Sequence, residues 1–115
     1  YVCQNNDGQI KETKSISAGL DYPGVSPVHC FLKDSGRARY TSATDEEALE
    51  AYKIVTKFEN LNPSLEPSHA FAEAIKIAPK LSSDTVIIVN SCGDAQKDRD
   101  ILKKRLGNFK WAYLK

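Results

Sequence analysis

"DTVIIVNSCGDAQKD", residues 84–98, is the stretch on which the fold reading turns. Val86, Ile87, Ile88 and Val89 follow Thr85 without polar alternation, the pattern of a strand covered on both faces, which predicts a central, parallel strand over 84–90. The strand stops at Cys92-Gly93 and gives way to a charged run that predicts a helix over 96–106. Asp98 stands early in that helix, Lys103, Lys104 and Arg105 stand late, and Gly107 is placed to end it, all matching the helix dipole. A lone thiol therefore sits where a strand hands its carboxyl end to a helix, the place where α/β proteins tend to keep their chemistry.

Upstream, Thr44 and Glu47 have the spacing of a capping box, and Ala48, Ala51, Tyr52, Val55 and Phe58 recur at helical intervals. A helix is predicted over 45–59, closed by Asn60 and Pro63. Pro67 suits the first turn of a second helix whose stripe runs Ala70, Phe71, Ala74, Ile75 and Ala78, ending near Pro79. Before these, "ARYTSAT" (38–44) alternates and is rich in β-formers, predicting a strand. A short helix is expected through 29–34, ended by Ser35-Gly36. Asp7-Gly8 signals a tight turn, and "SISAGLDYPGVSP" (15–27) is an ordered loop punctuated by Gly19, Pro23-Gly24 and Pro27. The tail "NFKWAYLK" (108–115) can pair or pack.

The order β, α, α, β, α predicts an α/β architecture: a partial three-layer sandwich with a short, mostly parallel sheet flanked by helices, 1–115 forming one segment. Two long strands make a thin sheet, as a piece of a larger domain would. The opening "YVCQNNDGQIK", which lacks an initiator Met, agrees with that expectation.

Composition narrows the function classes. A chain of 115 residues with 41% hydrophobic and 27% charged content is ordinary for a soluble globular domain, which excludes disordered and collagen-like classes. Sixteen Lys plus Arg against fifteen Asp plus Glu leave +1, so no field exists to gather nucleic acid or anionic lipid. The longest unbroken aliphatic run, 86–89, is far short of the roughly 20 residues of a membrane helix. Cys3, Cys30 and Cys92 are odd in number and lack C-x-x-C spacing, which points to free thiols in a reducing compartment, hence the cytoplasm.

Each candidate site residue has a plain structural reading beside a functional one. Cys92 is a nucleophile or a buried thiol, with no His near it in sequence to activate it. His29 and His69 are a metal pair with Asp21 or Glu66, or two satisfied structural histidines; neither has a second ligand at i, i+4. Glu66, just before Pro67, caps a helix or serves a site, and the two roles are compatible. Asp21 shapes the "GLDYPG" turn or uses it as a rigid mount. From residues alone the expectation is a cytosolic α/β domain in which the Asp21 loop, Glu66 and Cys92 converge.

"SISAGLDYPGVSPVHCFLKDSGRARYTSATDEEALEAYK" (15–53), "LEPSHAFAEAIKIAPKL" (65–81) and "VIIVNSCGDAQKD" (86–98) closely resemble the carboxyl-terminal part of the tryptophan synthase beta-subunit family. The resemblance runs along nearly the whole chain and covers less than a third of such a subunit. It implies a fold-type II pyridoxal-phosphate enzyme joining indole to L-serine, with beta subunits that pair and carry alpha subunits. The family's Schiff-base Lys, phosphate loop and catalytic Glu lie upstream of the matched part, so the resemblance implies that these residues are inactive alone.

Carried over residue by residue, the resemblance makes Asp21 a closure residue on the substrate side. Tyr22 and Gly24 offer backbone carbonyls to a monovalent cation. Glu66 becomes a carboxylate near the cofactor ring, and Cys92 with Gly93 becomes the edge facing the pyridine nitrogen. Cys92 stands where the family usually has Ser, which makes it a tuner of the cofactor rather than a nucleophile. Its S–H is a weaker donor than a hydroxyl. Asp94 stands where the family has Arg, and Gly93, Lys97 and Asp98 keep the family's residues in L-S-G-R-G-D-K-D.

The implied partners are the rest of the beta subunit and the alpha subunit, with self-association through an apolar surface the missing neighbours would cover. Competing readings are a non-catalytic interaction module that kept the fold, which the changes at "SCGDAQ" favour, and a thiol-dependent enzyme built on Cys92.

Overall fold

A computed structural model describes residues 1–107. The tail read as able to pair or pack, 108–115, lies outside the described residues. Contacts divide the chain into two compact units, Tyr1–Thr41 and Ser42–Lys115.

The first unit is built from turns. Asn5 Oδ1 accepts from the backbone N–H groups of Asp7 (3.0 Å) and Gln9 (2.8 Å), and Gly8, at φ 77°, turns the chain so that Gln4 bridges Ile10 in antiparallel fashion. The Asp7-Gly8 turn is thus where the sequence puts it. Cys3 N–H donates to the Pro23 carbonyl (2.6 Å) and Val25 N–H to the Tyr1 carbonyl (3.2 Å), fastening the Pro23-Gly24 loop to the amino-terminal arm. Helix α1 (Pro27–Asp34) follows, with Pro in its first turn.

Helix α2 (Asp45–Phe58) dominates the second unit. Both halves of the capping box are made: Glu47 N–H donates to Thr44 Oγ1 (3.2 Å), and Thr44 N–H to Glu47 Oε2 (2.7 Å). Asn60, at φ 58°, ends the helix in the left-handed region that Asn tolerates. Ala48, Leu49, Ala51, Tyr52 and Val55 are buried; Phe58, expected in the stripe, is exposed. Helix α3 (Leu65–Ile77) packs on α2, and α4 (Arg99–Leu106) buries Leu102. Arg105 pairs with Glu46 at 2.9 Å and Lys76 with Glu47 at 2.8 Å, tying α4 and α3 to α2. No described helix is long and apolar enough to cross a membrane.

Two expectations are corrected. The short, mostly parallel sheet is not formed: among the described residues only isolated bridges occur, and neither 38–44 nor 84–90 is a strand. A strand needs a neighbour to accept its backbone hydrogen bonds, and among the described residues 84–90 has none; Val86 is 82% and Ile88 90% exposed. The described architecture is therefore helix-rich. The α3 stripe is also turned: Leu65, Ser68 and Ala72 face inward, while Ala70, Ile75 and Ala78 are exposed. Helix α3 begins two residues before Pro67, which occupies its first turn, where a missing N–H costs nothing.

Candidate functional site

The second unit joins two short segments, 62–66 and 92–98, into one corner. Ser64 N–H donates to the Gly93 carbonyl (2.9 Å), Ala95 N–H donates to the Asn62 carbonyl (3.0 Å), and Pro63 bridges Asp94 between them. Gly93 is required for the approach, because a Cβ there would stand 2.6 Å from Ser64 Oγ. The Cys92-Gly93 turn is thereby fixed at the amino terminus of α3, one residue from Cys92 and two from Glu66 along the respective backbones.

Ser64 is the N-cap of α3, yet its side chain makes no cap hydrogen bond. The cap comes from a distant residue. Asp98 Oδ2 accepts from Leu65 N–H at 2.8 Å, and Asp98 is 4% exposed. A buried carboxylate at the positive end of a helix stabilises the free N–H groups there. Its other oxygen accepts from Lys97 Nζ at 2.7 Å, and Lys97 also pairs with Glu66, at 3.0 Å to Oε1 and 2.7 Å to Oε2. Burial pulls the Lys97 ammonium down, but hydrogen bonds to Asp98 and Glu66 outweigh it and leave the pKa raised.

Asp94 takes the N-cap position of a 3₁₀ turn, Ala95–Asp98, with Oδ1 accepting from Gln96 N–H at 2.8 Å. Its carboxylate also receives the Asn62 amide at 3.4 Å, and Asn62 Oδ1 accepts from Tyr52 O–H at 2.9 Å. Asp94 thus has a structural task in this turn.

Of the sequence-predicted residues, Glu66 and Gly93 belong to this corner, and Cys92 borders it as an exposed free thiol. Glu66 sits in the first turn of α3 beside a cation, which agrees with its helix-end reading. Asp21, Tyr22 and Gly24 lie in the first unit. Asp21 closes a 3₁₀ turn, Ala18–Leu20, by donating its N–H to the Ala18 carbonyl at 3.3 Å. His29 Nδ1 is 2.8 Å from Tyr40 O–H, and His69 Nδ1 donates to the Leu65 carbonyl at 2.7 Å, so both histidines have the structural partners expected of them. Sequence reasoning credited Asp98 to the dipole of its own helix and read Lys97 only as a residue the resemblance keeps. The signal was present: "QKD" keeps a cation and an anion side by side at the start of the last helix.

The donor set fits the edge of a heteroaromatic ring in chemistry. An exposed thiol borders a backbone turn held close by Gly93, with a carboxylate kept beside an ammonium on the adjoining helix end. Such a set can donate weakly to a ring nitrogen and set the charge near it.

Proteins named tryptophan synthase beta chain match this chain closely. Those of Bordetella petrii and Cereibacter sphaeroides are each 54% identical over 107 residues, and that of Allorhizobium ampelinum is 52% identical, in every case over 93% of this chain. The chain spans about 27% of the length of the Bordetella petrii protein and about 26% of the other two. No family model matches it. The resemblance read from the sequence is borne out.

Proposed function

We propose that the chain is the carboxyl-terminal portion of a tryptophan synthase beta subunit and supplies the wall of the cofactor site that faces the pyridine ring. The observation that carries this reading is the corner itself: Gly93 and Asp98 lock the Cys92 turn onto the helix end that bears Glu66. Pyridoxal phosphate, when bound in the complete subunit, supplies an electron sink for exchanging the β-substituent of L-serine. The residues of this chain orient and tune. Cys92 offers a weak S–H donor at the ring edge, Gly93 permits the close backbone approach, and Glu66 fixes a negative charge nearby.

Asp21 acts on the substrate side when the site closes, and the Tyr22 and Gly24 carbonyls bind a monovalent cation. The run 84–90 takes up its central, parallel strand against the remainder of the subunit, which completes the three-layer sandwich. Its exposed Val86 and Ile88 support that reading, since contiguous apolar side chains in water mark an unmade contact. The partners are the remainder of the beta subunit, the alpha subunit and a second beta subunit, in the cytoplasm. Alone, without the Schiff-base Lys and phosphate loop of the rest of the subunit, the chain does not turn over substrate.

A non-catalytic interaction module is the second reading, favoured by Cys92 and Asp94 at two of the site's own positions. Co-expression with the upstream three quarters of the Bordetella petrii subunit separates the two. Tryptophan formed from indole and L-serine, with the visible absorbance of bound cofactor, is the expected result. A stable complex that binds no cofactor and makes no tryptophan overturns the enzymatic reading and leaves the interaction module.

A further inference from the structure

We propose that Asn62 is a positioning residue for the Cys92-Gly93 edge: its side-chain amide couples the buried Tyr52 of α2 to Asp94, and so sets where that turn stands against the amino terminus of α3. The assignment rests on the reading of this edge as the one that faces the cofactor ring, and deepens it by naming a residue that places the edge.

Asn62 lies in the connection from α2 to α3, and three of its groups meet neighbouring segments. Its carbonyl accepts from Ala95 N–H at 3.0 Å, its Oδ1 accepts from Tyr52 O–H at 2.9 Å, and its Nδ2 donates to the Asp94 carboxylate at 3.4 Å. Tyr52 is 1% exposed, in the core of the second unit, whereas Asp94 is exposed, so the amide reaches from core to surface. The direction of each bond is fixed. A carboxylate takes hydrogen bonds and gives none, so the Nδ2 end of the amide faces Asp94 and the Oδ1 end faces the Tyr52 hydroxyl.

From Asp94 the connection passes into the backbone. Asp94 Oδ1 accepts from Gln96 N–H at 2.8 Å, which opens the 3₁₀ turn Ala95–Asp98. On its other side the Gly93 carbonyl accepts from Ser64 N–H at 2.9 Å. The turn is therefore seated on 62–64 both before and after Asp94. A Cβ at Gly93 would stand 2.6 Å from Ser64 Oγ, so the seat has little slack, and a displaced Asp94 has to carry Cys92 and Gly93 with it.

The test exchanges the two side chains. N62D puts a group of the same size at 62 with no N–H to give, so two acceptors face each other. N62D/D94N restores the pair with its direction reversed: the amide now at 94 donates to the carboxylate at 62 and still accepts from Gln96 N–H, while the carboxylate still accepts from Tyr52 O–H. The 115-residue chain and both variants are compared by amide NMR and thermal melting. N62D is expected to move the Cys92 and Gly93 amide resonances, to speed solvent exchange of the Ala95 N–H about fivefold, and to lower the melting temperature by about 4 °C. The double exchange returns all three towards the parent. An N62D chain that matches the parent overturns the proposal, as does one that melts lower with the Cys92 and Gly93 resonances unmoved, or a double variant no closer to the parent than N62D. Should N62D not fold, D94N decides: the Asn62 side-chain amide resonances move if they sit on the Asp94 carboxylate, and stay put if the assignment fails. No cofactor enters these measurements, so a co-expressed subunit that binds none would sink the site reading and leave these results untouched.

Discussion

Helices α2 and α3 are less apolar than the run 84–90, yet the helices build the core of the second unit and the run lies against water. A helix closes its own N–H···O=C bonds and asks its surroundings to cover one face only. Leu49, Ala51, Tyr52 and Val55 meet that condition with Leu65 and Ala72. A strand closes none of its bonds alone, and one with apolar residues on both faces needs neighbours at each edge and layers above and below. Local chemistry therefore completes the helical corner, and it leaves 84–90 without a strand partner among the described residues. The turn 92–98 stands between the two, held wholly by the helical side.

The sharpest way to break this comparison is to remove the buried anchor. In D98A, Leu65 N–H loses its acceptor and Lys97 a partner inside the corner, at a cost of about 3 kcal/mol. Urea unfolding of a unit with so small a core should show the midpoint collapse. D98N, which can still accept from Leu65 N–H, should retain part of it. A D98A chain as stable as the parent would mean that the corner is not what holds 92–98.

Next in size is G93A. The added methyl meets Ser64 Oγ at 2.6 Å, and overpacking of this kind costs about 2 kcal/mol. The clash involves one hydroxyl, so S64A should recover much of the loss when combined with G93A, and a thermal melt of the double variant reads it directly. Full additivity would show that Gly93 serves some other constraint.

How legible each part was in the sequence follows the same division. Thr44 and Glu47 announced α2 because a capping box is a local device, and Asn60 marked its end for the same reason. The strand at 84–90 was read from composition, which encodes the burial a residue is suited to and is silent on whether a neighbour is present to supply it. The α3 stripe was read a third of a turn off: small Ala side chains populate several faces, and Ser68, which donates to the Ser64 carbonyl at 2.7 Å, took an inward place that polarity alone denied it. In the site, Glu66 and Gly93 were legible through family resemblance. Lys97 and Asp98 act across 31 and 33 residues of sequence, a distance no local pattern reports.

The capping box itself offers a smaller test, and one with a pH signature. T44A removes the acceptor for Glu47 N–H and should cost about 1 kcal/mol at neutral pH. Lys76 and the Thr44 N–H hold the Glu47 carboxyl below its ordinary pKa. A depressed carboxylate stabilises the fold fully above its unfolded pKa and stops doing so as pH falls through the folded value. The stability gap between parent and E47Q should therefore be constant from neutral pH down to about 5 and close below about 4. A gap that persists unchanged to pH 2 would show that the Glu47 charge contributes nothing.

The smallest effect is expected where the sequence is most apolar. I88K places a charge in the middle of the run, a change that is ruinous in a covered central strand, where an unpaired buried charge costs several kcal/mol. Ile88 is 90% exposed here, so the variant should alter stability by no more than about 0.5 kcal/mol, within the range of ordinary surface substitutions. It should also reduce self-association, because the lysine interrupts the apolar stretch Val86–Ile87–Ile88 through which unpaired chains would meet. Co-expressed with the upstream portion of a related subunit, the same substitution should abolish assembly. Near-silence in the chain alone and loss in the complex would locate the strand's missing neighbours outside these residues. A loss of more than about 2 kcal/mol in the chain alone would place them within it.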